Sequence, residues 1–227
     1  MGLNNYRTQT DRGVIVYSAE QQAPRVLIIH GFKRRAGQLL PWAARIPGLG
    51  FVHLPGHSGA PAFDEVSVQA WAEGVQAMVA TFPEPPLIIA ESLGAIVAMS
   101  VPARAVIAIE PLLSTRDLWP LHRTIRRARE RGIAISAEDE ALFNSSFEWV
   151  LPRISAPTLV LAGSTPLLPE RDVWPEPSLL TDEDFAAYAR HPLVEARRIA
   201  GGHTLLDTHP DGVMEAAADF MARHGYL

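Results

Sequence analysis

Ser92 lies between two apolar segments of a 227-residue chain: Leu87-Ile88-Ile89-Ala90 precedes it and Leu93-Gly94-Ala95-Ile96-Val97 follows. The first reads as a buried strand and the second as a helix. A serine at such a strand–sharp turn–helix junction is thrust out at the carboxyl end of a parallel sheet. The turn is tight, so small residues are needed two positions either side. Ala90 and Gly94 meet that need, with alanine where glycine is commoner. A serine hydroxyl becomes a useful nucleophile only when a base takes its proton. A serine before a helix is also an ordinary N-cap, and the pentapeptide alone leaves both open. A second group is basic. Lys33-Arg34-Arg35 forms one cluster, and Arg116, Arg123, Arg126, Arg127, Arg129 and Arg131 form another, opposed by Asp117 and Glu130. Lys33, Arg34 and Arg123, with Trp119, are therefore candidate contacts for an anionic small molecule. A solvated basic helix face is the alternative. No His, Asp and Glu grouping has metal-ligand spacing, so neither a metal nor a cofactor is expected.

The elements that would position these residues follow from apolar patterning. Short strand-like runs occur at Gly13–Tyr17, Arg25–His30, Gly50–Leu54, Leu87–Ala90, Ala103–Glu110, Thr158–Ala162 and Val194–Ile199. Between them, Val68, Trp71, Val75, Met78, Val79 and Phe82 make one wide helical stripe. Pro210 to His224 reads as a closing helix. Strands alternating with helices predict an α/β domain with a mostly parallel sheet. Residues 111–153 are too long for a plain crossover and predict two helices, Arg116–Arg131 and about Ala137–Val150, as a cap over the carboxyl edge. The length fits one domain, 1–227. A formal charge of −5 argues against a nucleic-acid binder, and the chain has no cysteine for disulfides or thiolates. No apolar run reaches the roughly 20 residues of a membrane span. Met1 to Arg12 is polar and lacks a signal-peptide core, so the expected location is cytoplasmic.

The order of the motifs is strand–His30-Gly31-Phe32, strand–Leu54-Pro55-Gly56-His57-Ser58-Gly59, strand–Ala90-Glu91-Ser92-Leu93-Gly94–helix, insertion, strand–Ala162-Gly163, then Gly201-Gly202-His203 before a final helix. From about Val26 to the C-terminus this resembles the α/β-hydrolase superfamily. Only one strand fits before Val26, so the resemblance implies a sheet shortened at its N-terminal side. It also implies roles: Ser92 as nucleophile, His203 as its base, and an oxyanion hole from the main-chain N–H groups of Phe32 and Leu93. In most relatives the acid follows the strand matching Thr158–Ala162, where Gly163 to Pro169 holds no carboxylate. One strand earlier, Glu110 closes an apolar run, where a subgroup of haloalkane dehalogenases holds its acid. A carboxylate there is costly to bury without a partner, and an imidazole needing orientation is one. Glu110 is the expected acid, with Asp172 and Glu170 as alternatives. His53, where relatives more often carry Asp, reads as structural, and Glu91 as a strand-end residue pointing away from Ser92.

These residues imply a serine esterase or thioesterase acting on a small acyl substrate. A carbon–carbon bond hydrolase, an acyltransferase and a non-catalytic binding member stay open.

Overall fold

The apolar runs become the centre of one eight-stranded sheet. A computed structural model of the chain describes residues 2–136, 142, 145–171 and 176–225. Its strands are β1 (Asn4–Thr10), β2 (Gly13–Ala19), β3 (Val26–Ile29), β4 (Leu49–His53), β5 (Leu87–Glu91), β6 (Ala105–Ile109), β7 (Thr158–Gly163) and β8 (Val194–Ile199). They lie in the order β1-β2-β4-β3-β5-β6-β7-β8. The β1–β2 and β2–β4 pairs are antiparallel and the rest parallel.

Successive residues of a strand face opposite sides of the sheet, and both sides are covered. Leu27, Ile29, Ile88, Ala90, Val106 and Ala108 face one layer, with α1 (Val68–Val79) and α2 (Leu93–Met99) packed on it. Ile28, Ile89, Ile107, Leu159 and Leu161 face the other, beneath the 3-10 segment Ala36–Ala44 and the closing helix Pro210–Arg223. Covering on both faces is why the central strands read as unbroken apolar runs. In α1 the expected stripe is buried, and Ser67 caps the helix by accepting the Ala70 N–H at 3.1 Å.

The expected N-terminal shortening is absent, because two strands precede Val26. β1 escapes sequence reasoning because Asn4 to Thr10 is polar and lies on the sheet edge, its residues exposed or half-buried. Its hold on the sheet is the antiparallel ladder to β2 and the stacking of Tyr6 on Tyr17 at 5.2 Å between ring centroids.

Further helices leave the carboxyl edge or return to it. Helix α3 spans Trp119–Glu130, starting later than expected, with Pro120 in its first turn. Of the second expected insertion helix, residues 137–141, 143 and 144 lie outside the described residues; its far end is a 3-10 segment, Glu148–Arg153, containing Pro152. A proline there removes a backbone donor and breaks regular α-helix. Helix α4 is Asp182–Ala189, capped by Thr181, and α5 is the short Leu205–Thr208, followed by the closing helix, α6. Among the described residues no helix is long and apolar enough to cross a membrane.

Candidate active site

Ser92 directly follows β5 with φ 54° and ψ −128°, a left-handed conformation that costs a non-glycine residue about 1–3 kcal/mol. Its side chain makes no capping bond to α2, so the N-cap alternative is not what holds it there. The strain is held by packing from both sides. Ser92 N–H donates to Ile109 O at 2.8 Å, and α2 lies against β3 so closely that a Cβ on Gly94 would stand 2.3 Å from His30 O. Ala90 departs from glycine at no cost, since its methyl joins the core between β3 and β6. Gly94→Ala should therefore destabilise the protein by about 1–3 kcal/mol or more, because backbone has to move; urea unfolding measures it.

Glu110 follows β6, the strand beside β5, so it stands one strand over from Ser92 on the same sheet edge. It also has φ 54°, and it is fully buried. Its carboxylate is saturated with donors. Oε1 accepts Gly163 N–H at 2.6 Å and Ser178 Oγ–H at 2.8 Å, and Oε2 accepts Leu179 N–H at 2.6 Å. His203 Nδ1 lies 3.4 Å from the same Oε2. A ring held this way keeps its proton on Nδ1 and leaves Nε2 as a base. Burial opposes charge on His203, but the hydrogen bond and charge of Glu110, with the nearby Glu91 and Glu176, outweigh it and raise the imidazole above its ordinary value. The loop carrying His203 is itself tied down. Glu176 Oε2 accepts both Thr204 N–H at 3.0 Å and Thr204 Oγ–H at 2.6 Å, while a Cβ on Gly202 would meet Glu176 O at 2.0 Å.

The loop after β3 is fixed by two histidines, His30 and His57. His30 Nε2 accepts Leu54 N–H at 3.2 Å, so its Nδ1–H donates to Gly31 O at 2.8 Å. Burial, ahead of smaller effects, lowers its pKa to about 4. His57 Nε2 accepts Lys33 N–H at 3.1 Å, and its Nδ1–H donates to Pro55 O at 2.9 Å. Phe32 sits between these anchors, and among the described residues its own N–H meets no acceptor. Leu93 opens α2, where an N–H has no intrahelical partner.

A cavity of about 500 Å³ opens beside His203 and Phe32; Ser92, Leu93 and Glu110 are not among its lining residues. His203, Phe32, Lys33 and Glu176 line one side, and Leu118, Leu121, Ile125 and Ala128 of the insertion line the other. The basic residues expected to bind substrate are placed differently from Lys33. Arg34 is paired with Glu91 and Asp207, and Arg123 with Glu170 and the carbonyl of Arg171. Arg123 also lies over the Trp119 ring, whose indole N–H donates to Leu167 O at 2.6 Å; Trp119 is buried and is not among the cavity residues. Each cation thus spends its charge on a neighbouring carboxylate, which composition alone does not reveal. Of the alternative acids, Glu170 is the Arg123 partner, and Asp172 lies outside the described residues. Glu176, Ser178 and Asp207 were not singled out from sequence. Glu176 and Ser178 sit among prolines, and no local spacing ties them to their partners Thr204 and Glu110, 28 and 68 positions away in the chain.

The comparisons with known proteins agree with this architecture. A family model described as Alpha/beta hydrolase family matches residues 26–216. The chain belongs to that family. Solved members of the fold resemble it at low identity. A carboxylesterase from Bacillus subtilis is 15% identical, with 97% of this chain and 92% of that one covered and a TM-score of 0.71. N-formylmaleamic acid deformylase from Pseudomonas putida S16 is 14% identical over 95% of this chain and 100% of that one, with a TM-score of 0.70. A thioesterase domain from the curacin biosynthetic pathway is 18% identical over 97% and 100%, with a TM-score of 0.62. No curated protein sequence matches the chain. As an alpha/beta hydrolase the protein carries the hydrolase fold with its sheet order complete, and at these identities the relatives speak to fold alone.

Proposed function

We propose that this alpha/beta hydrolase is a serine hydrolase that cleaves a carboxylic ester or thioester through an acyl-enzyme on Ser92. The observation that carries the proposal is the buried Glu110 carboxylate, held by three donors and facing His203 Nδ1 one strand away from the strained Ser92 turn. Burying an acid at that position and aiming it at an imidazole has a cost that orientation of a base explains.

In the first half-reaction, His203 Nε2 takes the Ser92 proton while Oγ bonds to the acyl carbon. The carbonyl oxygen becomes an oxyanion held by the Phe32 and Leu93 N–H groups, each such donor being worth about 2.7–4 kcal/mol. His203 then passes that proton to the leaving oxygen or sulfur as its bond to carbon breaks. Water repeats the sequence. Its proton goes to His203, its oxygen bonds to the acyl carbon, and Ser92 recovers a proton as the carboxylic acid leaves.

The substrate class follows from the cavity wall. Leu118, Leu121, Ile125 and Ala128 suit an apolar acyl group, with α3 and the residues just before it as the cap over that wall. Lys33 at the rim is the cation of the original set that lines this cavity, so any anionic part of the substrate belongs there. Leu121→Trp should lower kcat/KM for p-nitrophenyl octanoate by about tenfold or more while sparing the acetate. The proposal itself is tested by a fluorophosphonate probe and peptide mass spectrometry. The adduct should map to Ser92; a folded protein that reacts elsewhere, or not at all, contradicts it.

A further inference from the structure

The end of β5 holds a second carboxylate that the proposed chemistry does not use. Glu91, read from sequence as a strand-end residue, is buried, only 6% exposed. Its Oε1 accepts Gly31 N–H at 3.1 Å and lies 3.0 Å from Arg34 Nε, while its Oε2 accepts Arg34 Nη1–H at 3.0 Å. Glu91 therefore holds the guanidinium by one charge-assisted hydrogen bond, from Nη1, and a close ionic contact at Nε, which itself makes no hydrogen bond. Its remaining edge reaches further. Arg34 Nη2–H donates to Asp207 Oδ1 at 2.7 Å, and Asp207 belongs to α5, which begins two residues after His203. The side chains of Arg34 and Glu91 are only 12% and 8% exposed, so water screens the pair little.

We propose that Glu91, Arg34 and Asp207 form a clasp that sets the oxyanion loop against the histidine loop, with Glu91 the positioning residue for the Phe32 N–H. This rests on the serine hydrolase assignment above. One guanidinium touches three segments: the residue before the nucleophile, the loop that offers Phe32, and the helix that follows the base. Phe32 lies between Gly31, whose N–H Glu91 holds, and Lys33, whose N–H His57 holds. The Gly31–Phe32 peptide keeps its carbonyl on His30 Nδ1–H at 2.8 Å and Arg34 N–H at 3.2 Å. Losing Glu91 frees the preceding peptide at Gly31 N–H and unseats Arg34, so the plane shifts with its supports, and a displacement of about 1 Å is enough to cost about 10²-fold in rate. The Glu91 charge also lies near His203 and favours its protonated form, alongside Glu110 and Glu176, the other acids that bear on that ring.

The test uses the full chain, p-nitrophenyl butyrate and a fluorophosphonate. Glu91→Gln keeps size and one acceptor but loses the charge that faces Arg34. It should lower kcat and the phosphonylation rate by about 10- to 100-fold with KM within about twofold. The acid limb of its kcat/KM profile should also move to lower pH. Asp207→Asn concerns a half-exposed side chain, 51% exposed, and keeps the fold accessible if Glu91→Gln does not fold. It should cost kcat a few-fold and add nothing further in the Glu91→Gln background, the non-additivity expected of one connected unit. Wild-type kcat and an unmoved pH profile in a folded Glu91→Gln, or an unchanged kcat in Asp207→Asn, overturn the clasp while Ser92 labelling of the wild type keeps the hydrolase assignment. A wild type that does not label at Ser92 overturns both.

Discussion

Ser92→Ala should remove turnover of p-nitrophenyl esters by about 10⁶-fold, the scale on which a serine nucleophile matters when its partners remain in place. The same variant should unfold at nearly the wild-type denaturant midpoint. The hydroxyl makes no capping bond, so its loss leaves no orphaned partner, and alanine at φ 54° carries the strain that serine already bears. A variant that is both stable and inert is the signature of a group present for chemistry. Steady-state kcat together with urea unfolding measures the pair. Residual kcat within tenfold of wild type would remove Ser92 from the mechanism.

Glu110→Gln should lower kcat by about 10⁴-fold, the loss seen when an orienting carboxylate becomes an amide and the imidazole takes the wrong tautomer. The amide NH₂ would face His203 Nδ1 or one of three groups that already donate, Gly163 N–H, Ser178 Oγ–H and Leu179 N–H. One donor would then point at another, so stability should fall as well, by about 1–3 kcal/mol. The pH profile separates the two effects. His203 must be neutral to act, and its pKa is raised by Glu110 against the effect of burial. Wild-type kcat/KM should therefore climb with pH through an inflection above that of free imidazole. Removing the Glu110 charge should shift that inflection to lower pH even as the plateau falls. Asp172→Asn is the control, because full activity loss there with none in Glu110→Gln would move the acid to residue 172.

How much of this was legible in the sequence depends on how local the signal is. The strands β3, β5, β6 and β7 were readable because both sheet faces are covered, leaving runs such as Leu87–Ala90 and Ala105–Ile109 with no polar residue. Ser92 was readable because the strained turn demands small neighbours two positions away. Glu110 was readable because one charge closed a wholly apolar strand. Strand β1 was not, since apart from Tyr6 this edge strand is Asn, Arg, Thr and Gln, which pair through the backbone and leave no apolar alternation. The pairing of charges was not either. Arg34 with Glu91 and Asp207, and Arg123 with Glu170, are meetings across 47 to 173 positions, and they turn a cluster that looked ready for anions into internal ties. The donors that hold Glu110 were hidden for the same reason, Ser178 lying 68 positions beyond it.

The central claim of the proposal is that Glu110, through His203, serves Ser92 during the reaction, with the Phe32 and Leu93 N–H groups receiving the oxyanion. A crystal structure of the protein after reaction with a small fluorophosphonate tests it most directly. The account predicts phosphorus bonded to Ser92 Oγ, its free oxygen within hydrogen-bond reach of Phe32 N–H and Leu93 N–H, and His203 bridging the adduct and Glu110. Phosphorus on another side chain, or an oxygen turned away from both amides, would contradict it.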